Sequence, residues 1–287
     1  MIGFGQPTVN IPDANFKAYL VGNTAINTNG DAEIQVIEAS SFVDGNGIGI
    51  QCQSLNISDL TGIEAFTALT KLNCSNNQLT SLDVSNNTTL TDLDCDANQL
   101  TILDLSNNPD LTDLDCEANQ LTILDLSNNP YLTELDCGNN QLTSLDVSNN
   151  TVLTSFYCAW NQLTSVDLRN GNNINFSTMQ ATENPNLSCI SVDDAVWSIA
   201  NWTVGSMNID SWTSFSSNCA TAVGCTDSLA CNYNSLATID DSSCFYVNIT
   251  QNDTSICFGD SINISLLGGS QICFDNYMTY MGSFNNH

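Results

Sequence analysis

The feature that most constrains this chain is a sequence repeat with a period of about 21 residues. Five cysteines are equally spaced at that interval without slippage: Cys74, Cys95, Cys116, Cys137 and Cys158. A fixed period of roughly 20–50 residues is typical of proteins whose repeats stack in a row, each packing only on its neighbours. We therefore expect a solenoid, in which function follows a long regular face instead of one catalytic pocket.

Each repeat consists of two similar halves. The first has the pattern Leu-Thr-x-Leu-Asp-Cys-x-x-Asn-Gln, and the second has Leu-Thr-x-Leu-Asp-(Val/Leu)-Ser-Asn-Asn. In both, an Asp lies between two apolar residues, so at the two-residue period of a strand the apolar side chains point inward and the Asp points outward. The pattern predicts a mainly β solenoid with one short strand on each of two faces, stacked into two short parallel β-sheets.

The solenoid is expected to cover residues 49–192, in about seven coils. The cysteine column would begin at Cys52 and end at Met179, which lies one full period after Cys158. Cys189 lies one full period after Leu168 and would continue the column of the other half.

Composition excludes some classes of partner. The chain of 287 residues has 31 acidic and three basic residues, and its formal net charge is -28. Nucleic acids and anionic membranes are therefore not expected as partners, because both need Lys and Arg to replace their counterions. No run of 18 apolar residues exists, so we expect no membrane insertion.

The outward Asp residues form two columns and are the candidate binding face. One column contains Asp83, Asp104, Asp125, Asp146 and Asp167, and the other contains Asp94, Asp115 and Asp136. Like charges about 5 Å apart repel by roughly 0.8 kcal/mol even at the dielectric constant of water. Two interpretations stay open: a solvated acidic face, or a surface that binds cations or a ligand along the columns.

The cysteine column could be a metal or redox array, or a packing feature. Metal sites usually need closely spaced pairs such as Cys-x-x-Cys, and the chain has none. Stacked cysteines about 4.8 Å apart would point the same way, too far apart for a relaxed disulfide. We expect free, buried thiols that pack as small apolar side chains.

The pattern LxxLxLxxNxL over about residues 50–192 resembles the leucine-rich repeat in its nested bacterial form, which has the same period. The resemblance implies that one column of asparagines is buried and bonds to the turn backbone. We assign this column to structure: Asn77, Asn98, Asn119, Asn140 and Asn161.

Residues 1–48 are predicted to form a helical N-terminal cap. Its segment from Asn27 to Glu38 resembles an EF-hand loop, although Asn27 replaces the usual first Asp and Ala32 the usual Gly. The resemblance implies possible calcium ligands at Asn27, Asn29, Asp31, Glu33 and Glu38. The helix–loop–helix also resembles the cap of internalins, surface leucine-rich-repeat proteins of pathogenic bacteria, in which the EF-like form is structural.

Residues 193–220 are expected to close the other end of the core. Trp197, Trp202, Trp212 and Phe215 would cover the last coil. Cys189 and Cys219 bracket the segment, and we expect them to pair in a disulfide, which implies an extracellular setting.

Residues 221–245 are a short module rich in Cys and Asp. Their pattern GCTDxxACNYNxxATxDDxSC resembles linker repeats of surface proteins from marine Bacteroidetes. We expect a disulfide between Cys225 and Cys244, with Cys231 unplaced. The side-chain oxygen atoms of this module would suit calcium, and the candidate ligands are Asp227, Asn232, Asn234, Asp240 and Asp241. The pattern fits a solvated spacer equally well.

Residues 246–287 look like the opening strands of an immunoglobulin-like adhesin domain; Cys257 and Cys273 flank these strands and are expected to form disulfides. The last residues resemble the first strand of a C-type-lectin-like domain. We expect a fragment of a longer protein, with a signal peptide missing or truncated before Gln6.

No catalytic motif is present, and the one histidine is the terminal His287. The sequence favours a monomeric, secreted or cell-surface recognition or adhesion protein that presents an acidic face to a protein or glycan. Calcium is the candidate cofactor. A structural spacer that displays a missing C-terminal lectin-like domain is one alternative. The other is an ice- or mineral-binding surface on Thr91, Thr112 and Thr133 beside the Asp residues.

Overall fold

The computed structural model describes residues 6–45, 47–219, 222–230, 232–233, 237–240 and 242–245. The chain divides into two compact units, Met1–Ser217 and Asn218–His287. The first unit contains the repeats and the second contains the cysteine-rich module. In the described ranges, no helix has the length and apolar character needed to cross a membrane.

A parallel sheet of seven strands runs the length of the first unit. Its strands contain the cysteine halves of successive coils: β1 Ile50–Gln51, β2 Lys71–Asn73, β3 Asp92–Asp94, β4 Asp113–Asp115, β5 Glu134–Asp136, β7 Ser155–Tyr157 and β9 Thr178–Gln180. Each three-residue strand buries its middle side chain, as the two-residue period predicts. The leucine-rich-repeat solenoid is therefore confirmed.

A second parallel sheet lies on the other half of the coils but has only four strands. They are β6 Ser144–Asp146, β8 Ser165–Asp167, β10 Cys189–Ser191 and β11 Ser214–Ser216. The corresponding segments around Asp83, Asp104 and Asp125 do not form strands. Two sheets exist as predicted, but the second begins only at Ser144.

The core is a set of inward columns that continue from coil to coil. Leu93, Leu114 and Leu135 are each about 1 % exposed. Burying one such side chain contributes roughly 1.5–3 kcal/mol before the cost of ordering it. Within the described ranges, six cysteines are free and buried as predicted, and they are Cys52, Cys74, Cys95, Cys116, Cys137 and Cys158.

The predicted asparagine column closes each turn. Asn119 donates from Nδ2 to the carbonyls of Cys95 at 3.0 Å and Cys116 at 3.2 Å. Its Oδ1 accepts the N–H of Leu100 at 2.9 Å. One side chain therefore satisfies the backbone of two coils, which confirms the structural assignment.

A second asparagine column, which the sequence analysis missed, donates to two successive coils on the other half, but its buried Oδ1 atoms accept no hydrogen bond within the described residues. Asn108 donates to the carbonyls of Val84 at 3.1 Å and Asn87 at 2.9 Å. The same pattern recurs at Asn87, Asn129 and Asn150.

The predicted end of the cysteine column is wrong. Met179 pairs with Phe156, so it occupies the leucine column, and the buried Ala181 follows Cys158 instead. The last interval is longer than the others because the coil contains an added 3-10 turn, Asn173–Asn175.

The predicted place of Cys189 is also wrong. Ile190 pairs with Val166, which puts the buried Val192 in the column of Leu168. Cys189 lies one residue before Ile190, outside that column.

The N-terminal cap consists of helices α1 Ala14–Gly22 and α2 Val36–Ser41. A 3-10 turn, Ile63–Ala65, follows in the first coil. Asp13 begins α1 by accepting the N–H of Phe16 at 3.0 Å, and its other oxygen accepts the N–H of Ser58 at 2.8 Å. This carboxylate therefore joins the cap to the solenoid.

The C-terminal end is covered by helix α3 Ala195–Asn201 and a 3-10 turn at Val204–Ser206. Trp202 and Phe215 are buried, and Trp197 packs against them. The prediction for Trp212 is wrong, because this side chain is 53 % exposed and its indole N–H donates to the Asn184 carbonyl at 3.3 Å.

The second unit has two paired strands, β12 Ala222–Gly224 and β13 Ala237–Asp240. The predicted disulfide between Cys225 and Cys244 is confirmed. Cys189 and Cys219 are each disulfide-bonded, and their mutual pairing stays a prediction. Cys231, Asn234, Asp241, Cys257, Cys273 and the predicted immunoglobulin-like strands lie outside the described residues.

Candidate functional site

The strands of the long sheet align acidic side chains on its outer surface. Asp92, Asp113 and Glu134 are paired across three strands, and so are Asp94, Asp115 and Asp136. A third column follows the cysteines at Asp96 and Glu117. We call these residues the acidic sheet face: Asp92, Asp94, Asp96, Asp113, Asp115, Glu117, Glu134 and Asp136. Neighbouring members of a column lie about 4.8 Å apart, the spacing of paired strands.

Burial shifts the pKa of several carboxyl groups on this face. Partial burial raises the pKa of Asp94, Asp113 and Asp136 to about 6, and neighbouring carboxylates add to the effect. Burial likewise raises the pKa of Asp115. Each of these four carboxylates is therefore held in a place that disfavours its charge, and a nearby cation would stabilise it.

The face ends abruptly on both sides. At β2, the Lys71 ammonium contacts Asp92 at 2.8 Å and the Asn73 amide donates to Asp94 at 2.6 Å. At β7, the register places Tyr157 beside Asp136 and Ser155 beside Glu134. The acidic sheet face therefore covers three adjacent coils.

The second predicted column has a local structural role. The carboxylates of Asp83, Asp104, Asp125 and Asp146 each accept the N–H of the serine two residues later at 2.9 Å. The serine side chains and these N–H groups lower the pKa of the first three Asp residues. Asp167 binds Arg169 instead, with Nε donating at 2.9 Å. These carboxylates stabilise turns, and their proposed part in ligand binding stays a prediction.

The EF-like loop satisfies its own oxygen atoms. The buried Glu38 accepts the N–H groups of Thr28 at 2.8 Å, Asn29 at 3.1 Å and Gln35 at 3.0 Å. Burial raises the pKa of Glu38, but these hydrogen bonds outweigh it and the net shift is downward. The Asn27 amide donates to the carbonyls of Val21 and Asp31. These hydrogen bonds hold the loop in its closed conformation.

The other proposed loop ligands are also engaged. Asn29 donates to Gln35 Oε1, Asp31 accepts the N–H of Glu33, and Glu33 binds the Lys17 ammonium at 2.7 Å. No group of three Cys, His, Asp or Glu side chains in the described part of the chain is placed to hold a metal ion. Calcium binding stays a prediction.

In the cysteine-rich module, Asp227 accepts the N–H of Leu229 at 2.9 Å. Asn232 donates to the Ser243 carbonyl at 2.8 Å and accepts the N–H of Phe245 at 3.0 Å. Both side chains hold the module together. Asp240 lies in β13, and the structure does not describe its side chain.

Sequence reasoning missed most of the acidic sheet face. It considered only the Asp between the two inward residues, so it omitted Asp92, Asp113, Glu134, Asp96 and Glu117. The signal was available, because positions two before and two after each outward Asp also point outward in a strand.

No protein-family profile matches this chain. Internalin J of Listeria monocytogenes serotype 4b (strain F2365) is 51% identical over 39 residues, which are 14% of this chain and 4% of that protein. The chain thus spans only a small part of this curated relative.

Solved structures are similar to a larger share of this chain. The functional domain of InlJ from Listeria monocytogenes, described as including a cysteine ladder, is 31% identical with a TM-score of 0.51, over 67% of this chain and 53% of that one. Internalin C2 of Listeria monocytogenes is 18% identical with a TM-score of 0.47, over 75% of this chain and 100% of that one. This chain has an internalin-like leucine-rich-repeat fold with a cysteine ladder.

Proposed function

We propose that this chain is the recognition part of a secreted or cell-surface bacterial protein, and that its acidic sheet face binds a basic surface of a protein partner. One observation carries the proposal: eight carboxylates are set in register on three adjacent coils, four of them with raised pKa values. Lys and Arg side chains of a partner would stabilise these carboxylates in their charged form. The chain acts by binding and not by catalysis, as a monomer.

The rigidity of the sheet supports this proposal. The backbone of each coil is fixed by strand pairing and by the asparagine columns, so little conformational freedom is lost when a partner binds. The charge of -28 also accelerates encounter with a basic partner, to an extent that falls with added salt.

Matched variants test the proposal on an array of purified extracellular proteins. The sheet-face triple variant Asp94→Asn, Asp115→Asn and Asp136→Asn removes three charges from the acidic sheet face. The control Asp83→Asn, Asp104→Asn and Asp125→Asn removes three charges elsewhere, and each Asn can still accept the turn N–H. We expect the first variant to bind an array partner at least about tenfold more weakly and the control to bind as the parent does. Equal losses in both variants, or no array protein bound by the parent, would contradict the proposal.

An ice- or mineral-binding surface has less support. The hydroxyls of Thr91, Thr112 and Thr133 donate to carbonyls of the preceding coil at 3.1, 2.9 and 2.9 Å. These donors are therefore not free to order a water lattice. Thermal hysteresis of the freezing point would revive this alternative.

Calcium is proposed only as an auxiliary ligand of the EF-like loop. A melt with calcium and then with chelator tests it, because a ligand that binds the folded state raises the melting temperature. The variant Asp31→Asn should remove the calcium-dependent increase. An unchanged melting temperature would leave the hydrogen-bonded loop as a purely structural cap.

A further inference from the structure

A cavity of about 490 Å³ lies at the C-terminal end of the long sheet, between strand β9, helix α3 and the turn that follows it. Its lining includes Tyr157, Gln180, Trp197, Asn201 and Trp202. Ligand pockets in proteins are typically about 300–1,000 Å³ and combine aromatic walls with a few polar groups. The volume is therefore that of a binding site for a small molecule or one unit of a polymer.

The lining of the cavity is uncharged, although the chain as a whole is highly charged. None of its lining side chains is ionic, although the chain has 31 acidic residues and Tyr157 directly follows Asp136 in register. An anionic ligand would be repelled by the net charge, and a cationic one would find no carboxylate in the lining. The lining therefore selects an uncharged ligand.

The aromatic wall is held rigid by the core. The ring of Trp202 lies 5.4 Å from that of Trp197 at 86°, and 5.5 Å from that of Phe176. Trp202 is only 5 % exposed, whereas Trp197 and Tyr157 are half-buried and expose part of their rings. A fixed aromatic surface of this kind binds the flat apolar face of a ring without losing rotamer freedom.

Polar groups around this aromatic wall are available to form hydrogen bonds to a ligand. Nothing in the described ranges hydrogen-bonds to the Tyr157 hydroxyl, the Gln180 amide or the Trp197 indole N–H, and Asn201 donates only to the Trp197 carbonyl at 2.8 Å. Hydroxyl and amide groups both donate and accept, which matches a ligand with many hydroxyl groups.

An extended peptide fits this place less well. Strand β9 is the edge of the sheet, where a peptide could otherwise add as a further strand. The Asn208 side chain, however, donates to the Met179 carbonyl at 2.7 Å, and the Asn208 carbonyl accepts the N–H of Ala181 at 2.7 Å. Asn208 thus occupies the edge groups that a peptide backbone would need.

We propose that this cavity binds a neutral sugar unit of a glycan. The sugar ring packs its C–H face on the exposed part of the aromatic wall, and its hydroxyls bond to Gln180, Asn201 and Tyr157. The site is separate from the acidic sheet face, so one chain engages a basic protein surface and a neutral glycan through different residues.

The test is a glycan array with neutral and sialylated oligosaccharides, followed by titration of the bound neutral oligosaccharide with tryptophan fluorescence as the readout. Gln180→Ala removes an amide with no structural hydrogen bond, and we expect it to weaken binding about tenfold at an unchanged melting temperature. Trp197→Leu should weaken binding further. The matched control is Trp160→Ala, because Trp160 is 61 % exposed, does not line the cavity, and has Ala97 and Ala118 as its equivalents.

Distinct outcomes overturn this proposal without touching the proposed function. It fails if the parent binds no neutral glycan, if it prefers sialylated glycans or uncharged peptides, or if Gln180→Ala and Trp197→Leu bind as the parent does. The sheet-face triple variant should keep its glycan binding. Loss of glycan binding in that variant, with binding kept in the two cavity variants, would move the glycan to the acidic sheet face.

Discussion

At the scale of single residues, the repeated asparagines stabilise the turns of the solenoid through hydrogen bonds to the backbone. Asn119 makes hydrogen bonds to two successive coils from a buried position. A leucine-rich pattern reveals the apolar columns at once, but the turns between them depend on an amide that can donate and accept together. Alanine at this position would leave several buried backbone groups without partners.

The substitution Asn119→Ala should therefore lower the free energy of unfolding by about 3 kcal/mol, since each buried backbone group left unpaired costs roughly 1–3 kcal/mol. Asn107→Ala is the matched control, because Asn107 is exposed, and it should change stability by less than about 0.5 kcal/mol. Denaturant titration measures both values. Similar values for the two variants would contradict the structural assignment of the asparagine column.

The raised pKa values on the acidic sheet face predict how stability depends on pH. Asp94, Asp113 and Asp136 have folded-state pKa values of about 6, above the ordinary value of 3.8. The folded state therefore binds protons more tightly, so stability rises as the pH falls from about 7 towards about 4.5. Below that range, the lowered pKa values of Asp83, Asp104 and Asp125 reverse the trend.

Thermal melts at about pH 7, 6 and 5 and constant ionic strength check this dependence. The sheet-face triple variant should show a smaller increase in melting temperature, because two of the three strongly shifted carboxyl groups are gone. The triple variant of Asp83, Asp104 and Asp125 should keep the full increase. A parent protein that is most stable at pH 7 would disprove the assigned shifts.

At the scale of elements, the cysteine column is a packing feature of the long sheet. Burial raises the pKa of Cys95, Cys116 and Cys137, so the reactive thiolate form is scarce in the folded protein. The thiols are adjacent in the stack yet free. They therefore support the sheet as small apolar groups and do not form a redox chain.

We expect iodoacetamide to leave Cys95, Cys116 and Cys137 unlabelled in native buffer and to label them fully in denaturant. Peptide mapping by mass spectrometry gives the labelled fraction at each site, and Cys52, at one end of the column, serves as an internal comparison. Rapid labelling of the three central thiols without denaturant would mean that the column opens in the folded state.

Much of this element structure could be predicted from the sequence, because an uninterrupted period fixes the strand register. The period identified the inward leucines, the free cysteines and the outward Asp94, Asp115 and Asp136. It failed at Met179 and Cys189, where the added turn Asn173–Asn175 shifts the register. A period cannot reveal an insertion when the displaced residue, here Met179, is as apolar as the one expected.

The candidate site was harder to predict than the fold. The two Asp columns look alike in sequence, and both accept the N–H two residues later. Only Asp94, Asp115 and Asp136, however, gain enough burial to raise the pKa of their carboxyl groups. The aromatic cavity could not be predicted, since it is assembled from β7, β9 and the cap, which are far apart in the chain. Tertiary placement, not residue type, decides these roles.

At the scale of the whole molecule, the net charge of -28 affects the stability of the folded state. Only Lys17, Lys71 and Arg169 are basic, and each already contacts a carboxylate. Self-repulsion should therefore destabilise the folded state at low ionic strength.

The melting temperature should rise between about 20 mM and about 500 mM NaCl, because salt at the higher concentration screens charges beyond a few ångströms. Differential scanning calorimetry measures the increase, and the sheet-face triple variant should show a smaller one. A melting temperature that falls with salt would indicate that the three ion pairs outweigh the repulsion.

Hydrogen–deuterium exchange of the complex with the array protein that binds most tightly tests the central claim, that recognition occurs on the acidic sheet face. We predict slower exchange on binding within residues 91–96, 112–117 and 133–138, which contain β3, β4 and β5. Residues 81–85, 102–106 and 123–127, on the other half of the same coils, should be unchanged. Protection confined to that second set would contradict the account.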